Sequence, residues 1–404
     1  MERSEQAADI TSLEGQSELE SGYLSVNHKG EELCGDHVQI VKGEDGSTTL
    51  VLADGLGSGV VASILSTLTS AMLSRMAEAG LSIEDGVETL VKTLPIARDR
   101  GNVAYSTFTV CRIEPDYSAV VYNFDNPDPV FLRLGKQKEL DYRTLEVEGK
   151  LIKKAECYFD VNDELVMFSD GAVHAGVGET LNFGWTRDEI VAYLEGLVDP
   201  SVSAKNVSTL LVDHCDLLYN RRPGDDTTAL TVRRRERKKC NLMVGPPTNK
   251  EDDEKVLSRF FSLEGPHIVC GGTTCSLAAR YLHSPIEGSL DYLDPEVPPI
   301  SYIRGVDLAT EGIITLNKVL SLSKDYQGQN KAYFDWSFRS DGASQIAKML
   351  FEEATDIDFY VGCAVNPAHQ DPQYHIGFKM KMQIIDNLAQ ELRNMGKHIK
   401  VTYF

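Results

Sequence analysis

The stretch from Thr49 to Gly59 most constrains what this chain can fold into, because an apolar run stops there at one carboxylate followed by alternating glycines. Leu50 to Ala53 predict a buried strand, and apolar positions from Val60 to Met76 recur at helical spacing. Asp54 therefore ends a strand, and Gly55 has no side chain to shield its carbonyl. A carboxylate beside a bare carbonyl is typical of a hard-cation site, although a lone Asp-Gly pair is more often a turn.

Three further acidic motifs favour the cation site over the simple turn. Each lies at the edge of a β-type segment, where loops can converge on one end of a sheet. They are Gly35-Asp36, Ser169-Asp170-Gly171 and Asp225-Asp226-Thr227-Thr228. Together with Asp54-Gly55-Leu56-Gly57-Ser58-Gly59, and in this order, they resemble the metal-dependent protein phosphatases. The chain is most similar to the bacterial stage II sporulation protein E type of serine phosphatase, over about residues 20 to 235.

The predicted site is a set of oxygen ligands, which Mg²⁺ and Mn²⁺ prefer, and its motifs contain no His or Cys to recruit zinc. Crowded carboxylates repel one another unless cations neutralise them, so two ions are expected. The resemblance implies that Asp54 bridges both ions, that Asp36 and the Gly55 carbonyl bind one, and that Asp170 and Asp225 bind the other. Asp226 either binds through water or orients Asp225. Two such ions would activate a water for attack on a phosphoester.

The chain departs from the family pattern at three places. Leu56 stands where many eukaryotic relatives have a His, and residues 125–129 lack the His of the usual Gly-His-x-Pro-Pro type loop. His174 stands where the bacterial type commonly has a Glu, and its role is left open between a loop residue and a titrating group. The predicted helices Val60 to Ala79 and Ile83 to Leu94 resemble the regulatory switch of the family.

Length, charge and composition indicate the number of domains, the excluded partners and the expected location. A chain of 404 residues predicts two domains, and a net charge of -21 argues against nucleic acid as a general partner. The basic cluster from Arg233 to Lys239 is interpreted as a solvated strand end and linker. No apolar run approaches the about 20 residues that span a bilayer, and no signal peptide is recognised, so a cytoplasmic protein without membrane association is expected. The eight cysteines are expected to be reduced.

The order of predicted elements gives the fold class. Strands in two groups and helices in two pairs predict an α+β domain, a β-sandwich of two antiparallel sheets flanked by helices. Alternating strands and helices after it predict a smaller α/β domain with a mostly parallel sheet. The predicted division is a tail at residues 1–18, the phosphatase domain at 19–236, a linker at 237–240 and a regulatory or docking domain at 241–404.

The second domain contains one candidate ligand site. Gly271 to Thr274 form a glycine-rich turn between a strand and a helix, which can bind a small anion or simply turn the chain. The loop from Asn366 to Pro372 would lie at the same sheet end if the sheet is parallel. No reaction can be assigned to this domain.

The resemblance implies a protein serine/threonine phosphatase acting on a phosphorylated bacterial regulator of the anti-sigma-factor-antagonist type. Two alternatives are a metal-binding pseudophosphatase that docks a partner without turnover, and a phosphatase of a small phosphorylated metabolite. Whether the protein is a homodimer, and whether Mn²⁺ or Mg²⁺ is used, is left open.

Overall fold

The computed structural model describes residues 16–93, 106–197, 201–289, 293–364 and 372–404. The chain divides into two compact units, Met1–Glu236 and Arg237–Phe404. Of the predicted tail at 1–18, residues 1–15 lie outside the described residues. Ser17 and Glu18 already belong to the first strand. The predicted loop at 366–372 lies outside the described residues except for Pro372, which begins a helix.

Two antiparallel sheets form the first unit. The six-stranded sheet has the order β2-β3-β4-β5-β9-β8 and the five-stranded sheet the order β1-β11-β10-β6-β7. The strands are β1 (Ser17–Val26), β2 (Asp36–Lys42), β3 (Thr48–Gly55), β4 (Ser106–Ile113), β5 (Ser118–Phe124), β6 (Val130–Arg133), β7 (Lys136–Gln137), β8 (Arg143–Val147), β9 (Lys150–Tyr158), β10 (Glu164–Phe168) and β11 (Thr227–Glu236). Strands β7, β8 and β9 were not predicted from the sequence.

Five helices accompany these sheets in the described part of the first unit: α1 (Gly59–Glu78), α2 (Ile83–Thr93), α3 (Asp170–Val173), α4 (Arg187–Leu197) and α5 (Ala204–Leu218). Alternation along β3 explains the layers. Leu50 and Leu52 pack with Met167 and Leu230 of the other sheet, whereas Val51 and Ala53 pack with α1 and α2. The outer face of the five-stranded sheet packs with α4 and α5. The predicted sandwich with helices on both sides is confirmed.

Helix α1 has an unusual distribution of side chains. It is long and apolar enough, by length and composition, to cross a membrane, so the expectation that no such segment exists was wrong. Of its most apolar 18-residue window, 44% is buried in the folded unit. Its buried face carries Leu65 and Leu73 together with many small or hydroxylated side chains, whereas several other large aliphatic side chains are exposed: Val60, Val61, Ile64 and Leu68.

The basic cluster is not a solvated linker, and that interpretation was wrong for its first three residues. Arg233, Arg234 and Arg235 are buried in β11. The carboxylate of Glu20 on β1 accepts a hydrogen bond of 2.8 Å from each of Arg233 and Arg235. Arg234 points to the other face, where its guanidinium lies 3.7 Å from the centre of the Tyr117 ring. Because each guanidinium has a partner, the strand can bury three successive arginines.

A mixed seven-stranded sheet organises the second unit, in the order β14-β15-β16-β13-β12-β17-β18. Its strands are β12 (Lys239–Val244), β13 (His267–Cys270), β14 (Glu287–Gly288), β15 (Ser301–Tyr302), β16 (Leu308–Thr310), β17 (Asp356–Val361) and β18 (His398–Tyr403). Five strands are parallel to one another, namely β16, β13, β12, β17 and β18 in sheet order. The two short strands at one edge, β14 and β15, are antiparallel. The predicted mostly parallel sheet is confirmed.

Helices connect the parallel strands: α6 (Asp253–Phe261) after a 3-10 turn at Lys250–Asp252, α7 (Gly272–Tyr281), α8 (Ile313–Gln327), α9 (Tyr333–Ser337), α10 (Gly342–Ala347), which continues into the π-helical segment Lys348–Glu353, and α11 (Pro372–Asn394). The predicted linker at 237–240 was two residues too long, since Lys239 and Cys240 belong to β12. The predicted long loop from Ser284 to Val306 contains the strands β14 and β15.

Candidate metal site

Two of the predicted ligands lie on neighbouring strands. Asp36 begins β2 and is directly opposite Asp54 near the end of β3 in the antiparallel register. Gly55 follows, and a Cβ atom at this position would overlap the carbonyl of Ala62 on α1. A glycine is therefore needed where the helix crosses the end of the strand. The sheet thus places two carboxylates and a glycine backbone side by side.

The third predicted ligand arrives from the other sheet. Asp170 is the first residue of α3, directly after β10 and Ser169. The Ser169 hydroxyl donates a hydrogen bond of 2.7 Å to Asp36 Oδ2 and accepts one of 2.9 Å from the Thr228 backbone N–H. Ser169 therefore connects the two sheets at this point and fixes the Asp36 carboxylate. The Ser169-Asp170 motif is evident in the sequence, but the role of the serine is not.

The last two predicted ligands precede β11. The Asp225 carboxylate accepts a hydrogen bond of 2.9 Å from the Asp226 backbone N–H. Asp226 is buried, and its Oδ1 accepts a hydrogen bond of 2.9 Å from the backbone N–H of His28 in the β1–β2 loop. Its Oδ2 would lie 2.6 Å from a Cβ atom at residue 35, so Gly35 leaves room for this carboxylate. No motif indicated His28, because its contribution is a backbone group.

All five aspartates come together in one cluster with mutually repelling charges. Burial is the largest cause that raises the pKa of Asp54, to about 10, and the charges of Asp36 and Asp170 raise it further. Burial likewise raises the pKa of Asp36 to about 7, although its Ser169 hydrogen bond acts in the opposite direction. The pKa of Asp225 rises to about 6 through burial and the charge of Asp170. Burial and the neighbouring negative charges disfavour the charged carboxylate, whereas the Ser169 hydrogen bond favours it.

This donor set fits hard divalent cations. Among the described residues, no lysine or arginine forms an ion pair with any of the five aspartates. Two buried carboxylate oxygens, Asp36 Oδ1 and Asp226 Oδ2, have no hydrogen-bond partner there. Buried charges of one sign normally require a counter-ion, and carboxylate oxygens are the ligands that Mg²⁺ and Mn²⁺ prefer. The cluster is therefore suited to binding cations.

His174 lies at the exposed side of the cluster. Its Nδ1 is 3.9 Å from Asp170 Oδ2, and ligand atoms of Asp170, His174 and Asp225 lie within 4.8 Å of one another. From the sequence, the role of His174 stays open between a loop residue and a titrating group. The structure places the imidazole beside two of the predicted metal ligands, where it adds a nitrogen donor to the oxygen set.

The candidate ligand turn in the second unit has a structural role. The hydroxyl of Thr274 in α7 accepts a hydrogen bond of 2.9 Å from the backbone N–H of Gly245, which follows β12. The Gly271 N–H donates to the carbonyl of Thr310 at the end of β16. These contacts join the ends of three neighbouring parallel strands. Binding of an anion at Gly271 to Thr274 stays a prediction.

Comparison with known proteins identifies the first unit. Residues 44–235 match the sequence profile of the family described as Stage II sporulation protein E (SpoIIE). No curated protein matches the chain. One similar solved structure contains the PP2C phosphatase domain and a fragment of the regulatory domain of SpoIIE from Bacillus subtilis, at 19% identity and a TM-score of 0.45. The alignment covers 54% of this chain and 63% of that chain, which is less than two thirds of it.

Two further structures give similar values. The RsbU and RsbW domains of Rv1364c from Mycobacterium tuberculosis align at 16% identity and a TM-score of 0.45, covering 60% of this chain and 68% of that chain. RsbX in complex with magnesium aligns at 16% identity and a TM-score of 0.38, covering 54% and 98%. The assignment rests on the family profile rather than on these distant likenesses. Residues 44–235 thus form a domain of the stage II sporulation protein E family, a family of metal-dependent serine/threonine protein phosphatases.

Proposed function

We propose that this protein is a protein serine/threonine phosphatase that uses two Mn²⁺ or Mg²⁺ ions held by its aspartate cluster. The observation that carries the proposal is the convergence of Asp36, Asp54, Asp170, Asp225 and Asp226 without a lysine or arginine ion-paired to them among the described residues. The assignment of residues 44–235 to a phosphatase family gives the reaction class.

The proposed ligand roles follow the family resemblance. By that resemblance, Asp54 would be shared by both ions, Asp36 and the Gly55 carbonyl would hold one, and Asp170 and Asp225 would hold the other. When bound, such ions lower the pKa of a coordinated water and neutralise charge on the phosphoryl oxygens. Asp226 has one oxygen engaged by the His28 backbone, which supports an orienting role beside Asp225.

The chain's own residues fix the geometry of the site. Ser169 holds the Asp36 carboxylate while its own position is set by Thr228 of β11, so the two sheets are locked together at the cluster. Helix α1 packs on Gly55 through Ala62, which fixes the backbone next to Asp54. A preorganised cluster of this kind avoids reorganising charged ligands during the reaction. In this proposal the protein supplies fixed carboxylates rather than a nucleophile.

The proposed substrate is a phosphorylated regulatory protein, of the anti-sigma-factor-antagonist kind by resemblance. Structural neighbours of this domain include the cell fate determinant SpoIIE and the RsbU and RsbW domains of Rv1364c. A signalling role for this protein is proposed by analogy with them. Residues 241–404 are proposed as a regulatory or docking domain, and a small anion at Gly271 to Thr274 is its proposed ligand. The protein is proposed to be cytoplasmic.

The test is hydrolysis of p-nitrophenyl phosphate and of a serine-phosphorylated peptide with each metal and with a chelator. We expect turnover with Mn²⁺ or Mg²⁺ and none after chelation. Full activity of the metal-stripped protein would refute the metal mechanism. Binding of Mn²⁺ without turnover of either substrate would instead support the pseudophosphatase alternative, and turnover of phosphorylated metabolites alone would support the metabolite alternative.

A further inference from the structure

The imidazole of His174 lies with two aspartates on the exposed side of the cluster. Asp170 begins α3 and His174 is its C-terminal cap, so the two side chains are four residues apart and share one face of a single helical turn. Asp225 approaches from the segment before β11, and ligand atoms of the three residues lie within 4.8 Å of one another. Two carboxylates and one imidazole therefore share one small volume.

The backbone of His174 is fixed, whereas the fold does not use its ring. The backbone N–H donates to the Asp170 carbonyl at 2.9 Å, and the His174 carbonyl accepts from the Val177 N–H at 3.1 Å. The side chain is 55% exposed, and its ring forms no hydrogen bond with any of the described residues. The ring of His37, by contrast, is bonded to the Ser70 hydroxyl at 2.7 Å. The His174 ring is thus held near two carboxylates and is available to a ligand.

The spacing agrees with coordination of one ion. Ligand atoms at about 2.1 Å from an octahedral ion lie about 3 Å apart when adjacent and about 4.2 Å apart when opposite. His174 Nδ1 and Asp170 Oδ2 are 3.9 Å apart. Because both side chains are exposed, rotation about their own bonds adjusts this distance without moving the backbone.

The need for a cation is independent of His174. Asp36 and Asp226 are 5% and 3% exposed, and each has one carboxylate oxygen without a hydrogen-bond partner in the described part of the chain. The cluster already holds five carboxylates, which repel one another. A neutral imidazole fills a coordination position without adding a sixth negative charge.

An imidazole changes which ion such a site prefers. Mg²⁺ favours oxygen ligands, whereas imidazole nitrogen suits the first-row transition metals. For a site with a nitrogen donor, affinity rises from Mn²⁺ toward the later ions of that row. The glutamate that the bacterial type commonly has at this position would leave an oxygen-only set, which distinguishes these ions less.

We propose that His174 is a metal ligand that, with Asp170 and Asp225, makes one ion position select Mn²⁺ or a later first-row transition ion over Mg²⁺. This inference rests on the proposed two-metal function and names the class of ion that the site of this chain prefers. His174 is then a residue that determines metal specificity rather than a loop residue.

The first test measures binding of Mn²⁺, Co²⁺ and Mg²⁺ to the full-length, metal-stripped protein by isothermal titration calorimetry. His174→Glu replaces the nitrogen donor by oxygen, and His283→Gln is the control because His283 is an exposed imidazole of the second unit. We expect the ratio of the Mg²⁺ to the Mn²⁺ dissociation constant to fall by about tenfold or more in His174→Glu and to stay unchanged in the control. Co²⁺ should lose more affinity than Mn²⁺ in the same variant.

The second test reads ligation from the ring nitrogens. Protein labelled with ¹⁵N-histidine is saturated with Zn²⁺, a d¹⁰ ion that does not broaden the spectrum. The ring resonance that is missing in His174→Gln identifies His174. We expect this resonance to shift on saturation with Zn²⁺, and the His283 resonance to stay in place.

Two outcomes would overturn the inference: an unchanged ratio of dissociation constants in His174→Glu, or a His174 ring resonance that does not move at saturation. An equal change in His283→Gln would attribute the altered binding to surface imidazoles and would also remove His174 as a specific ligand. Failure of the wild type to hydrolyse p-nitrophenyl phosphate with every metal would refute the proposed function, whereas the binding ratios would still report on His174. The two failures are therefore distinguishable.

Discussion

Replacing Asp54 by Asn should make the metal-free protein more stable and the enzyme inactive. Asp54 is the carboxyl group with the largest raised pKa of the cluster, at about 10, through burial and then the charges of Asp36 and Asp170. A carboxyl group whose pKa is raised on folding lowers the free energy of unfolding as the pH rises above its pKa in the unfolded chain. The reason is that the unfolded chain then releases a proton that the folded chain still holds. Asparagine keeps the shape of the side chain and carries no proton to release.

The magnitude follows from the shift. A rise from 3.8 to about 10 costs the folded wild type up to about 5 kcal/mol at about pH 7.5 and up to about 2 kcal/mol at about pH 5. Part of this cost is relieved when neighbouring carboxylates share protons. We therefore expect Asp54→Asn to raise the free energy of unfolding by about 2 to 5 kcal/mol at the higher pH and by less at the lower.

The measurement is urea unfolding in a chelator at both pH values, with Asp141→Asn as a control at an exposed aspartate. Added Mn²⁺ should stabilise the wild type and the control but not Asp54→Asn, because only a folded site with its charge intact binds the ion tightly. Asp54→Asn and Asp170→Asn should both lose well over about tenfold in hydrolysis rate. An Asp54→Asn protein that is less stable at both pH values, yet turns over normally, would make Asp54 a turn former.

Two further predictions concern the rest of the chain. Glu164 is buried, and burial raises its pKa to about 7, with Glu20 adding to the rise and Arg233 opposing it. As the pH rises from about 4.5 to about 7, Glu164 therefore lowers the free energy of unfolding by about 3 kcal/mol. Glu164→Gln should remove this pH-dependent loss, which urea unfolding at several pH values would measure. A variant with the slope of the wild type would refute this. A chain ending at Arg237 should stay folded and hydrolyse p-nitrophenyl phosphate, because all five aspartates precede it, but with altered activity on phosphoproteins. Insolubility, or identical kinetics on every substrate, would argue for a purely structural role of the second unit.

Local sequence determined the elements that carry the aspartates. The apolar run of β3 and the helical spacing of α1 are short-range patterns, so the strand, the glycine turn and the helix could be predicted at nearly the observed bounds. The order of the acidic motifs identified the family, and two groups of strands with two pairs of helices gave the sandwich. Each motif and each element depends on residues close together in the chain, and only their order along the sequence was needed in addition.

Tertiary structure decided which polar groups are buried and which apolar groups are exposed. Arg233 is buried because Glu20, 213 residues away, lies on the neighbouring strand, and a basic run gives no sign of such a partner. Ser169 fixes Asp36 across 133 residues, and the His28 backbone holds Asp226 across 198. Periodicity placed apolar residues on α1 without telling which of them face the sheet. These features depend on contacts that form only when the two sheets pack, which no local pattern of residues can specify.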